Sequence, residues 1–147
     1  MTELAAATRS LVVERVMPHP PEKIWRALTQ APLIEEWLMK NDFQPVVGHK
    51  FNFRAQPMPQ WNGVTDCEVL AVEPNQRLSY SWNSSGEEAE NGLKTVVTWT
   101  LTPVKGGTHV RMEQSGFRPR DESFYQGAGY GWQRFIGGLE RVAAGLS

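Results

Sequence analysis

Past Pro119 the hydrophobic period of the chain changes. Phe124, Ala128, Trp132, Phe135, Leu139, Val142 and Leu146 recur at steps of 4, 4, 3, 4, 3 and 4, an apolar stripe along one helix of about six turns. Upstream the period is two. Leu78, Tyr80 and Trp82 share a face opposite Ser79 and Ser81; Val97, Trp99 and Leu101 oppose Thr98, Thr100 and Thr102; Val110 and Met112 oppose His109, Arg111 and Glu113. These runs read as strands with one wet face. A single helix covers only ~10–12 Å of width, while six or seven strands at roughly 4.8 Å spacing are far wider. The sheet therefore has to curl around the helix. The layer between them is then either packed with side chains or left as a pocket.

Strands are predicted over 9–17, 49–56, 63–73, 76–84, 94–104 and 107–117. "EPNQ" and "VKGG" are hairpin-like turns, and "SGEEAENG" is a longer polar loop. Between the first two strands lies "PHPPEKIWRALTQAPLIEEWL", residues 18 to 38. Pro20 and Pro21 suit a helix start, where a missing N–H costs nothing. Ile24 and Leu28 follow one turn apart, with Trp25 beside them. Pro32 restarts the pattern, with Leu33/Trp37 and Ile34/Leu38 at the same spacing. Two helices this short do not survive alone in water, so they are expected to close one end of the curled sheet. Asp121 is the expected N-cap of the long helix, with Glu122 in its first turn. The 147 residues fit one domain, 1–147.

Several function classes drop out. A formal net charge of −1 gives no basic footprint for nucleic acid. A DNA-reading helix would offer basic and amide side chains where this one has Glu35, Glu36, Trp37 and Leu38. No run of 18 apolar residues is present to span a membrane, and Met1 to Ser10 do not resemble a signal peptide. The single Cys67 has no internal disulfide partner, which fits a reducing cytoplasm, and on a strand it reads as an inert buried thiol. His19, His49 and His109 stand far apart, so no metal or cofactor is implied. The three carboxylates of "SGEEAENG" read as solvated, and "KGGT" joins strands rather than opening a phosphate-binding helix.

Two features carry the functional reading. Gly127, Gly129, Gly131, Gly137 and Gly138 each cost a helix interior about 0.8–1 kcal/mol against alanine. They either admit close approach of the sheet, or leave room for a ligand and let the helix start shift like a lid. The second feature is aromatic. Phe51, Phe53, Trp61, Tyr80, Trp82, Trp99, Phe117, Phe124, Tyr125, Trp132 and Phe135, with Met112, are candidates to converge between sheet and helix. Gln114 shares a strand face with Val110 and Met112 as a polar group among them, with Arg54 or Arg118 at the rim. This set is either an apolar ligand cavity or a filled aromatic core.

"PPEKIWRALTQAPLIEEWL", "VTDCEVLAVEPNQRLSYSW", "VTWTLTPVKGGTHVRMEQSGF" and "GWQRFIGGLERV" resemble, in order and spacing, bacterial members of the START-like (SRPBCC) superfamily. Within it they are most similar to the branch named for the activator of heat-shock-protein-90 ATPase. The resemblance runs from about residue 10 to 144. It implies an α+β helix-grip fold, a curved antiparallel sheet of six or seven strands around a long C-terminal helix, enclosing a cavity. Asp66 departs from a glycine common in the family, and "QPMPQWN" replaces a glycine-rich turn. The function expected is non-catalytic binding of a hydrophobic or amphipathic small molecule. Two alternatives stand beside it. One is a co-chaperone contact with a heat-shock-protein-90-type ATPase, although the eukaryotic activators carry an additional N-terminal domain for which this length leaves no room. The other is a cavity-based enzyme of cyclase or hydrolase type, for which no acid–base constellation is visible. "MPQW" suits a homodimer contact as well as a pocket lip.

Overall fold

The computed structural model describes residues 8–59, 61–86 and 89–147. Strand β1 (Arg9–Met17) leads into helices α1 (Pro21–Thr29) and α2 (Ala31–Trp37). Then follow β2 (Lys40–Asn41), β3 (Lys50–Arg54), β4 (Val64–Glu73), β5 (Arg77–Ser84), β6 (Lys94–Val104) and β7 (Gly107–Phe117). A 3-10 turn, Pro119–Asp121, precedes helix α3 (Glu122–Ala144).

The seven strands form one curved antiparallel sheet in the order β1-β7-β6-β5-β4-β3-β2. This is the predicted helix-grip architecture. The addition is β2, a two-residue edge strand pairing with Phe53 and Arg54, too short to give a periodic signal. Alternation holds across the centre of the sheet, where Leu78, Tyr80, Val97, Trp99, Leu101, Val110, Met112 and Gln114 are all buried. Ser79 is the exception on the other face: it is buried rather than wet, its hydroxyl 3.1 Å from that of Thr98, its cross-strand partner.

Both short helices begin as their prolines require, with Pro21 and Pro32 in the first turn, where no intrahelical acceptor is lost. They bury Ile24, Ala27, Leu28, Ile34 and Trp37, and pack on each other and on α3. The Trp37 indole N–H donates to Ala27 O at 2.9 Å, tying α2 to α1. Glu35 and Glu36 face solvent. The pair is a wedge against the C-terminal helix.

Two details of α3 differ from the sequence expectation. Its buried face runs through Trp132, Ile136, Leu139 and Ala143, while Phe135 and Val142 lie half-buried at the margin. Both registers of the stripe are apolar at 135/136 and 142/143, so periodicity could not choose between them. Asp121 occupies the N-cap position but makes no cap bond. Its carboxylate accepts instead from the backbone N–H of Arg118 (2.8 Å) and from that residue's Nε and Nη2 (both 2.9 Å).

Candidate functional site

The predicted aromatic set divides into a contiguous layer and a periphery. Between sheet and helix the rings touch in series. Phe51 meets Phe53 and Tyr80 edge-on, with centroids 5.3 and 5.7 Å apart; Phe53 tilts against Trp82 at 5.2 Å; Trp82 meets Trp132 at 5.2 Å; Trp132 meets Trp99 and Phe135 at 5.8 and 5.7 Å. These are the spacings at which ring quadrupoles attract. The strands supply Phe51, Phe53, Tyr80, Trp82 and Trp99, and α3 supplies Trp132 and Phe135. Met112 is buried in the same core.

Two members escaped sequence reasoning. Phe43 meets Phe51 at 5.1 Å from an irregular segment that carries no period, and Trp37 meets Trp99 at 5.7 Å. The other candidates lie elsewhere. Phe117 is buried against Tyr125 (5.2 Å), whose other partner is the Arg9 guanidinium 3.6 Å from its ring centre. Trp61 is half-buried and donates to Val64 O at 3.1 Å, and Phe124 is half-buried on the first turn of α3.

A thread of polar atoms runs through the layer. Trp132 Nε1–H donates to Gln114 Oε1 (2.8 Å), Gln114 Nε2–H to Thr95 Oγ1 (2.9 Å), and the Thr95 hydroxyl to Trp82 O (2.7 Å). Buried amides and hydroxyls need such partners. Gln114 therefore spans strand and helix as an internal bridge, with one N–H and one lone pair left over among the described residues. Thr95 was legible, since it has the parity of Val97 and Trp99. Trp99 Nε1–H donates to Tyr80 Oη (3.1 Å), while no acceptor among the described residues takes the Tyr80 proton. Burial holds the Tyr80 phenol above its usual pKa, partly countered by the Trp99 bond.

The two candidate rim arginines have different partners. Arg54 is exposed and donates to Asn52 Oδ1 (3.0 Å). Arg118 grips Asp121 and donates to Gly92 O (2.6 Å), clasping the start of α3 to the β5–β6 connection. Burial pushes the Asp121 carboxyl up, but the Arg118 hydrogen bonds and charge outweigh it and hold the pKa below the usual carboxylate value.

The remaining candidates fit the layer's periphery or lie outside it. Cys67 is buried, and burial together with Asp66 and Asp42 raises its thiol pKa, the opposite of a nucleophile's environment. His109 pairs with Glu14 (2.9 Å), His49 with Asp42 O (2.9 Å), and the backbone of His19 accepts from Thr108 (2.7 Å). Among the described residues no three His, Cys, Asp or Glu cluster at metal-binding distance. Glu87 and Glu88 of the acidic loop, and Gln60 of "QPMPQWN", lie outside the described residues. No helix is long and apolar enough to cross a membrane among the described residues.

The five helical glycines also separate. A Cβ built at Gly127 or Gly129 meets nothing within 4 Å, and one at Gly131 only the Phe135 ring. At Gly138 it comes within 3.2 Å of Trp37 Cβ. Close approach thus accounts for Gly138 and not for the glycines at the helix start.

The fold has known counterparts. A crystal structure of protein MLL2253 from Mesorhizobium loti superposes with a TM-score of 0.86 at 57% identity, covering 95% of this chain and 99% of that one. DynU16, from the dynemicin biosynthetic locus, superposes at 0.77 with 25% identity over 92% of this chain and 47% of that one. The Aha1 dimer from Colwellia psychrerythraea superposes at 0.75 with 24% identity over 90% and 93%. Among curated proteins none matches. The family model described as Activator of Hsp90 ATPase homolog 1-like protein matches residues 18–144, so this chain, with its curved sheet closed on one long helix, belongs to that family.

Proposed function

We propose that this protein binds a hydrophobic or amphipathic small molecule, without transforming it, in the aromatic layer between sheet and C-terminal helix. Tyr80 carries the reading. Its hydroxyl is buried among rings, accepts from Trp99, and has a proton that no described residue takes up. An unspent donor in an apolar setting is costly unless something accepts from it, and a ligand oxygen does so. The ligand enters beside Trp82 and Phe135, the half-buried members of the layer. Phe51, Phe53, Trp99, Trp132 and Met112 form the walls.

The test is a panel of fatty acids and flat polycyclic phenols, followed by tryptophan emission and melting temperature. A tight ligand at 100 times its Kd adds ~2.7 kcal/mol of stability. Tyr80→Phe weakens ligands that carry an acceptor by about tenfold, an interaction of roughly 1–1.5 kcal/mol, and leaves pure hydrocarbons unchanged. A panel that moves neither emission nor melting overturns the proposal.

A co-chaperone role is the second reading, favoured by the description of the family. Co-precipitation with a heat-shock-protein-90-type chaperone, followed by stimulation of its ATPase, distinguishes it from ligand binding. The Colwellia protein is a dimer, and sedimentation of this chain tests for a homodimer. The enzyme alternative finds little support in the buried groups: Cys67 and Tyr80 stay protonated, and Asp121 is locked by Arg118. A reading in the cytoplasm follows from the lone thiol.

A further inference from the structure

A second recess lies on the flank of α3, where α2 and β1 meet it. It is a groove of about 570 Å³, and it shares only Trp37 and Phe135 with the aromatic layer. Its charged lining is Arg15, Arg134 and Arg141 against one carboxylate, the exposed Glu36. A cationic groove on a chain of net charge −1 is a local choice rather than a consequence of composition.

The arginines are arranged, not scattered. The place where a Gly137 Cβ would sit is 3.6 Å from Arg15 Nη1 and 3.8 Å from Arg141 Nη1. Two guanidiniums thus converge on a spot that carries no side chain. Arg15 is partly neutralised by Glu140 at 3.0 Å. Neither Arg134 nor Arg141 has a carboxylate partner among the described residues. Those separations are ordinary van der Waals contact, so an alanine would fit and packing does not require glycine there. Glycine in mid-helix disfavours the helix; here it keeps the floor between two cations open.

We infer that this groove is an anion site for a small organic oxyanion, a carboxylate or phosphate, whose head lies between Arg15 and Arg141 and whose apolar body rests on Phe135. Guanidiniums suit such heads because their forked N–H groups match two oxygens at once. Arg134 supplies further attraction at the mouth. The site meets the ligand layer around Tyr80 only through Trp37 and Phe135.

The experiment titrates the full chain with phenyl phosphate, benzoate and inorganic phosphate, by calorimetry and by amide chemical shifts. Saturable binding of one aromatic anion, weakened by salt and shifting Gly137 and Gly138, is the expected result. The two aromatic probes tell a phosphate preference from a carboxylate one, and inorganic phosphate reports the head alone. Arg141→Gln lowers affinity tenfold or more, and Arg134→Gln severalfold. Gly137→Ala keeps the melting temperature and still lowers affinity, an outcome that loss of fold would not give. Tyr80→Phe changes nothing here, which separates this site from the other. Absence of saturable binding at millimolar anion, binding indifferent to Arg141→Gln, or shifts confined to other surfaces overturns the inference.

Discussion

The two halves of α3 are held by different forces. From Trp132 onward the helix buries Trp132, Ile136, Gly138, Leu139 and Ala143 and rests on α1, α2 and β1. From Glu122 to Gly131 it buries none of its own residues, and Tyr130 is 83% exposed. That first half is pinned at its tip, by the Asp121–Arg118 clasp, an Arg9–Glu122 ion pair and the Arg9–Tyr125–Phe117 stack. One residue type then serves opposite ends within a single helix. Gly138 is small because Trp37 presses on it; Gly127 and Gly129 are small with nothing beside them. A segment with no fully buried residue and with glycine at 127, 129 and 131 is the part expected to open first.

The strongest challenge to this contrast is Trp132→Ala. It removes a large buried ring and leaves the Gln114 Oε1 bond unmade, so urea unfolding should show a loss of about 3–5 kcal/mol. A loss no larger than a surface substitution gives would mean the second half is not the anchor. Next comes the clasp. Asp121→Asn should cost about 1–3 kcal/mol. Because the folded pKa of Asp121 is depressed, its contribution is complete above the ordinary carboxylate value of about 3.9 and disappears as pH falls through the lower, folded value. The acid limb of a pH–stability curve should therefore be shallower in the variant; an unchanged limb would show that the clasp contributes nothing.

Gly138→Val should destabilise by about 1–3 kcal/mol through overpacking against Trp37, read from the melting temperature. The smallest effect has the opposite sign. Gly127→Ala and Gly129→Ala should each stabilise by up to about 0.8–1 kcal/mol, slow amide exchange over 124–131, and slow ligand uptake. Destabilisation there would mean the glycines meet a constraint after all.

Much of the fold was legible because it rests on period. Strand alternation and the 3.6-residue stripe gave every long element within a residue or two, and Pro21 and Pro32 marked both short helices. What stayed hidden has no period. Phe43 joins the ring layer from an irregular stretch, and β2 is two residues long. The α3 face was ambiguous because Phe135/Ile136 and Val142/Ala143 are both apolar pairs. Asp121 was recognised as a helix-start residue, but its partner Arg118 lies before the helix, where capping rules do not look. For the site, composition identified the rings, yet only coordinates divide them into a layer and a periphery, since that depends on which strands neighbour one another.

The pairing of β1 with β7 has a consequence for how the molecule is made. Arg9 faces Phe117 and Met17 faces Thr108 across the sheet, so β1 leaves the ribosome well before β7, the strand with which it pairs. At about 5–20 residues per second, a delay of roughly 5–20 s separates the two. During that interval Val13 and Met17, both buried in the finished sheet, have no partner strand. Closure of the β-surface is thereby a late event in biosynthesis, and the newborn amino-terminal segment is the part most in need of shelter.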